Sequence, residues 1–409
     1  QLRMSRVRLS NPKLTVPLRR NGSGEQLTLG EEVGALTHGG MRRGFVGVLA
    51  PAVSMPEGLV VTMENGELDL QIDGQQAAHF DKIAARLVRH GKEVRLAYSC
   101  GSNLWRSVSS EGFFELDTFK GRSYTSVVGL NPDVLSQILY PENPLSFPEH
   151  EMNLNVLLVS GGPAELDLSF RTAVPRLGLK VGDRTTFLKE ASLDGGIALR
   201  PDGFKLTLDS LKIKVPALSV TGTVSYDPQT ARISADVHGT DVDAGGVREL
   251  MLVLAGKSRG VIKTFEVVKG GRVPQIRAQV QDKTLDELGE LENVTITGSM
   301  VDGRIYIEPA DLEVEGATGD AVIEGGILEG RRLQAHTGAT TGHDGSLTLA
   351  LEKDPSGDGP FHLDIAVDAD LSRLPAVLLH AVKDKDFLVE LNRMSEIEGR
   401  AKGRLVLGE

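Results

Sequence analysis

The sequence predicts a mainly β chain, a long antiparallel sheet carrying a few short amphipathic helices. Three observations carry that expectation. Apolar and polar residues alternate with period two through most of the 409 residues, as they do on strands whose successive side chains point to opposite faces. Turn signals interrupt the alternation about every ten to fifteen residues, the spacing of consecutive hairpins. Only a few segments switch to the three-and-four spacing of a helix.

Taken in order, the N-terminal 140 residues read as a β-rich segment in which Asn65-Gly66 marks a turn. Phe80, Ile83, Ala84, Leu87 and Val88 fall at i, i+3, i+4, i+7 and i+8, which predicts a helix near residues 76–90. Asn131-Pro132-Asp133 opens a short helix through Leu139. The stretch Pro141-Glu142-Asn143-Pro144-Leu145-Ser146-Phe147-Pro148 cannot be a central strand or a helix interior. It is expected to be a linker over 141–150, ahead of a second β region at 151–409.

In that region Leu166 to Phe170, Lys205 to Asp209, Leu211 to Val215, Ile305 to Ile307, Leu347 to Leu351 and Phe361 to Val367 alternate cleanly. Pro201-Asp202-Gly203, Tyr226-Asp227-Pro228, Asp302-Gly303 and His343-Asp344-Gly345 read as turns between strands. Val247, Leu250, Met251 and Leu254 predict helix within 243–270. Leu374, Val377, Leu378, Ala381 and Val382 predict another within 372–395, with Ser372 as its cap and Pro375 in its first turn. Asp354 to Pro360 is read as a loop joining two adjacent strands.

Composition narrows the function classes. The net charge is −11 and aromatics make up 4% of the chain. Nucleic acid, which calls for a basic surface or aromatic stacking platforms, is therefore not an expected partner. Cys100 is the sole cysteine, so neither an internal disulfide nor a cysteine-built zinc site can form. No Walker loop, nucleophile elbow or His-Glu-x-x-His occurs. Cys100 has no base signature beside it and reads as a half-buried small residue. His336 and His343 do not share a helix or strand face, and no metal or cofactor is expected. The clusters Arg3/Arg6/Arg8, Arg42-Arg43 and Arg331-Arg332 read first as a solvated face, with contact to anionic headgroups as the functional alternative. No apolar run is long enough to span a bilayer. The chain begins in strand-like sequence without Met and is expected to be a piece of something longer.

The apolar face of the sheet is mostly Leu, Val and Ile. A sealed sandwich core explains it, and so does a curled sheet with an aliphatic interior that holds acyl chains. Periodicity alone leaves both open. A small-residue beat also recurs inside strands, in Val220-Thr221-Gly222-Thr223-Val224, in Ile296-Thr297-Gly298-Ser299-Met300, from Gly399 to Leu405 and from Val314 to Ala321.

The C-terminal half resembles the AsmA-like family of Gram-negative envelope proteins. The resemblance rests on Val220 to Ile233, the strand ending at Asp236 to Asp243, the helical stretch Val247 to Gly256, Gly303 to Gly319 running on to Gly330, and the closing Gly399 to Gly408. It covers residues 200–409 best, 150–200 less well and 1–150 weakly. It implies a long β-sheet curled into a taco-like groove with an apolar interior. It also implies a periplasmic location, with an inner-membrane anchor lying in a segment this chain does not contain. The implied role is non-enzymatic: carrying phospholipid between inner and outer membranes and supporting outer-membrane integrity, with inner- and outer-membrane proteins as partners at its ends.

The alternation supplies the candidate lipid-facing residues: Leu206, Leu208, Ile213, Val215, Ile305, Ile307, Leu347, Leu349, Leu351, Leu363, Ile365 and Val367. Two other classes stay in view. One is a scaffold for outer-membrane assembly that works by strand addition at a sheet edge. The other is a β-rich carbohydrate-active enzyme, which would need a carboxylate pair in a cleft and has few aromatics to support it.

Overall fold

A computed structural model describes residues 5–18, 54–72, 74–139, 145–255, 259–284, 287, 290–307, 312–351, 359–372, 385–393 and 397–408. The chain is mainly β, with twenty strands assigned to one sheet. Its contacts divide it into two compact units. The first is Gln1–Lys214 with Thr223–Ile233, and the second is Val215–Gly222 with Ser234–Glu409. The division falls well beyond the proline-rich stretch, which lies inside the first unit. There Ser146 bridges to Lys180, while 141–144 lie outside the described residues.

In the first unit β1 (Arg6–Ser10) and β2 (Lys13–Leu18) run parallel to β3 (Val60–Ile72). The strands that follow pair antiparallel in chain order. They are β4 (Gln75–His90), β5 (Glu93–Ser102), β6 (Trp105–Glu115), β7 (Gly121–Leu130), β8 (His150–Gly162), β9 (Glu165–Val181), β10 (Arg184–Arg200) and β11 (Gly203–Ile213). Short connections enforce this order: Gly91, with φ +59°, turns β4 into β5. Between β7 and β8, α1 (Pro132–Leu139) starts as expected, with Asn131 Oδ1 accepting the Asp133 N–H at 3.1 Å.

The chain enters the second unit through β12 (Leu218–Asp227) and β13 (Arg232–Asp243). Asp243 caps α2 (Ala244–Leu254) by accepting the N–H groups of Gly245 and Gly246 at 3.1 and 3.2 Å. Then come α3 (Arg259–Val267), β14 (Val268–Lys283) and a 3₁₀ turn at Leu291–Asn293. The remaining strands again pair antiparallel in order: β15 (Thr295–Ile307), β16 (Leu312–Glu324), β17 (Ile327–Thr337), β18 (Thr340–Ala350), β19 (Phe361–Asp370) and β20 (Arg400–Gly408). Between β19 and β20 lies α4 (Lys385–Arg393). The expected helix from Leu374 to Val382 lies outside the described residues, as do 352–358 of the expected loop. The strands which that loop joins, β18 and β19, do pair.

Two expectations are corrected, and both have one cause. Residues 76–90 are not a helix but strand β4. Its register shifts between Asp81 and Ala84, and Lys82 sits at φ +50°. That bulge inserts one residue, so Phe80 and Ile83 share a face and mimic helical spacing. Likewise Asn65-Gly66, Asp302-Gly303 and Asp344-Gly345 are not turns between strands. They lie inside β3, β15 and β18, where Asn65, Asp302 and Asp344 take φ near +53°. Asn and Asp tolerate this left-handed conformation better than other side chains. In the second unit such residues stand on five neighbouring strands: Gly271, Asp302, Gly316, Arg332 and Asp344 on β14 to β18. Each bulge bends its strand, and together they bend this part of the sheet.

Candidate functional site: an apolar groove in the second unit

The inner face of the second unit holds a groove of about 610 Å³, lined by residues from β14 through β20 and by Val267 at the end of α3. Seven flat strands would span roughly 29 Å at ~4.8 Å per spacing. One space of this volume reaches all seven because the unit's sheet curls around it.

The register shows where the room comes from. Ala335 pairs with Gly342, Gly342 with Val367, and Val367 with Gly403. Ala317 of β16 lines the same space. These five form a lane across β16 to β20, one residue wide, with Val367 its largest side chain. A methyl group built on Gly403 would meet nothing within 4 Å, so that glycine faces open space. Leu333 and Leu405 wall the lane on one side, and Ile365 leans from that side over Gly342.

Towards the other end of β18 the same face is closed. Leu347, Leu349, Leu351 and Leu363 are buried at 5–6% exposure, together with Ile323. Leu291, carried over them by the 3₁₀ turn, completes this cluster, with Val267 and Leu328 packed against it. On the flank, Val247 and Met300 pack with Val242, Ala244 and Val273 where α2 lies on β14.

Lys402 and Arg404, which flank Gly403, also border the groove, and their charged ends pair with Asp368 and Asp364. Arg404 grips Asp364 with two bonds, at 2.6 and 3.0 Å, and Arg277 grips Asp236 at 2.9 and 2.6 Å. These guanidinium groups hold both carboxyls below the usual carboxylate range. The expected solvated face is built this way: Arg8 pairs with Glu64, Arg331 with Glu329 and Arg332 with Asp320. Arg3, Arg42 and Arg43 lie outside the described residues.

The candidate residues divide. Ile305, Ile307, Leu347, Leu363, Ile365 and Val367 line the groove. Leu347 and Leu363 also belong to the closed cluster, as do Leu349 and Leu351, which do not border the groove. Leu206, Leu208 and Ile213 are in the first unit, on β11, and do not border it. A bulge opposite Asp194 and Gly195 keeps those three and Leu211 on one face despite the break in phase after Leu208. Val215 is exposed at 47% and lies beyond β11, which ends at Ile213. Alternation missed Leu333, Ala335, Gly342 and Gly403. Of these only Gly403 fell in the small-residue beat, and the pairing partners of all four are revealed only by the register.

Among the described residues no group of three His, Cys, Asp or Glu could hold a metal ion, and no helix is long and apolar enough to cross a membrane. Cys100 lies on β5, in the first unit, where burial pushes its thiol pKa up. What the groove can do is shield an apolar ligand from water. Comparison with protein-family models, curated proteins and solved structures finds no match.

Proposed function

We propose that this chain is a lipid-carrying segment of a cell-envelope protein, with its second-unit groove shielding the acyl chains of phospholipid. The observation that carries the reading is the aliphatic lane with open space at Gly403. Its volume falls within the ~300–1,000 Å³ of ordinary ligand sites. An acyl chain in it gains about 0.8 kcal/mol per buried CH₂. The headgroup stays in water, so passage needs shielding rather than a catalytic group, and the reading is non-enzymatic. The resemblance to AsmA-like proteins supports the same function and adds a periplasmic location, an inner-membrane anchor and membrane-protein partners at the ends.

Extraction and mass spectrometry of lipid that copurifies with detergent-free protein tests this, using Gly403→Trp as the blocked control. The indole enters open space, so folding should change by no more than about 1 kcal/mol. Wild type is expected to carry phospholipid and Gly403→Trp to lose most of it. Equal lipid in both, or none in wild type, would sink the proposal.

A further inference from the structure

The lane has a length and a width, and both bear on which lipid fits. Its five strands give four spacings, or about 19 Å at ~4.8 Å each. One leaflet of a bilayer's hydrocarbon core is about 15 Å deep, the reach of one acyl chain. Across its width, one side chain intrudes. Ile365 of β19 leans over β18, where both nearby inward positions are glycine. Its Cδ1 lies 2.5 Å from where a Cβ on Gly342 would stand and 2.9 Å from the same point on Gly345. A larger residue at either position would displace the isoleucine. Gly342 itself belongs to the lane, so Ile365 rests on the lane's floor and its terminal methyl sets the clearance there.

We infer that Ile365 is the specificity-determining residue of this groove, gauging it for a single unbranched acyl chain lying across the strands. The inference rests on the lipid-carrying reading and goes further by naming the chain type and the residue that selects it. Methyl branches along the chain would collide with Ile365 where it crosses the floor. Shortening Ile365 widens the lane. Adding a methyl at Gly342 pushes Cδ1 outward and narrows it.

The test compares palmitate with phytanate, a fatty acid of the same backbone length bearing methyl branches, by displacement of a fluorescent fatty acid from the purified protein. Wild type should prefer palmitate by about tenfold or more, the scale on which an apolar pocket resolves an extra methyl group. Ile365→Val should reduce that preference and Ile365→Ala should abolish most of it, while Gly342→Ala should sharpen it. Should the alanine variant fail to fold, Ile365→Val and Gly342→Ala still move in opposite directions and decide the matter. Palmitate binding with a preference that none of the variants changes would overturn the gauge and leave the lipid-carrying reading intact. Binding of neither fatty acid to wild type would overturn both.

Discussion

In the first unit the apolar side of β5 and β6 closes on itself, whereas in the second the apolar side of β16 to β20 opens into a lane. Both are built from the same alternation. Val94 of β5 is fully buried and Phe114 of β6 nearly so, with Met55, Leu87, Phe119 and Leu158 packed around them. Small residues occur there too: Gly112 and Gly121, whose space is taken by Ser123 and Phe114, and a row of hydroxyls. Ser110 lies 3.1 Å from Ser123 and accepts from Thr125 at 2.9 Å. That chain satisfies its own polar groups and puts a polar row where the second unit has Ala335, Gly342 and Gly403. Small side chains on an inner face therefore do not by themselves make a groove. It takes apolar small residues in register on neighbouring strands, with no aromatic ring to fill the space they leave.

The largest effect expected from this comparison is at the closed positions. Val94→Glu in the first unit and Leu349→Glu in the second each bury an unpaired carboxylate, at a cost of at least about 3 kcal/mol. Chemical denaturation should show each losing its own unit's cooperative transition. A Leu349→Glu protein as stable as wild type would mean that Leu349 faces water and that the groove runs further than described.

The second effect is smaller and separates the lane from the closed cluster on the same sheet face. Val367 is half-buried and borders the groove. A glutamate there keeps contact with water, so Val367→Glu should cost about 1–2 kcal/mol and leave a folded protein. It should nonetheless lose copurifying lipid, because the charge must be desolvated when a chain enters. Unfolding as complete as that of Leu349→Glu would show the lane to be sealed core.

The mainly β character was legible because period-two alternation runs through stretches of most strands, as from Phe361 to Val367 on β19. The helices at 132–139 and 244–254 were legible from Asn131-Pro132 and from the spacing of Val247, Leu250 and Leu254. Bulges were not legible. One inserted residue at Lys82 turned strand spacing into apparent helix spacing, and Asp302-Gly303 carries the signature of a turn whether the chain reverses or only bends. The choice between them lies in long-range pairing, such as that of Gly303 with Ala317, which local sequence does not encode. The groove was half legible for the same reason. Its aliphatic wall at Ile365 and Val367 follows from alternation. Its floor depends on Gly342 and Gly403 flanking Val367 on the two neighbouring strands, a fact of register.

The smallest expected effect concerns the wet faces, where the units differ in the cation they use. Lys92 holds the Asp117 carboxyl below its ordinary range in the first unit, and Arg404 does so for Asp364 in the second. A carboxyl whose folded pKa lies below its unfolded value stabilises the fold at pH above the unfolded value. The contribution fades as pH falls through the folded value. Lys92, Asp117 and Arg404 are exposed and Asp364 is only half-buried, so each pair contributes little and salt weakens it. Asp364→Asn should therefore melt slightly below wild type at neutral pH and low salt. The two curves should converge on acidification below the carboxylate range, and also in high salt. The guanidinium fork binds both carboxylate oxygens of Asp364, whereas Lys92 offers a single contact at 2.6 Å. The gap should accordingly be wider for Asp364→Asn than for Asp117→Asn. A gap that persists at acid pH would assign the effect of Asp364 to packing on β19 rather than to its charge.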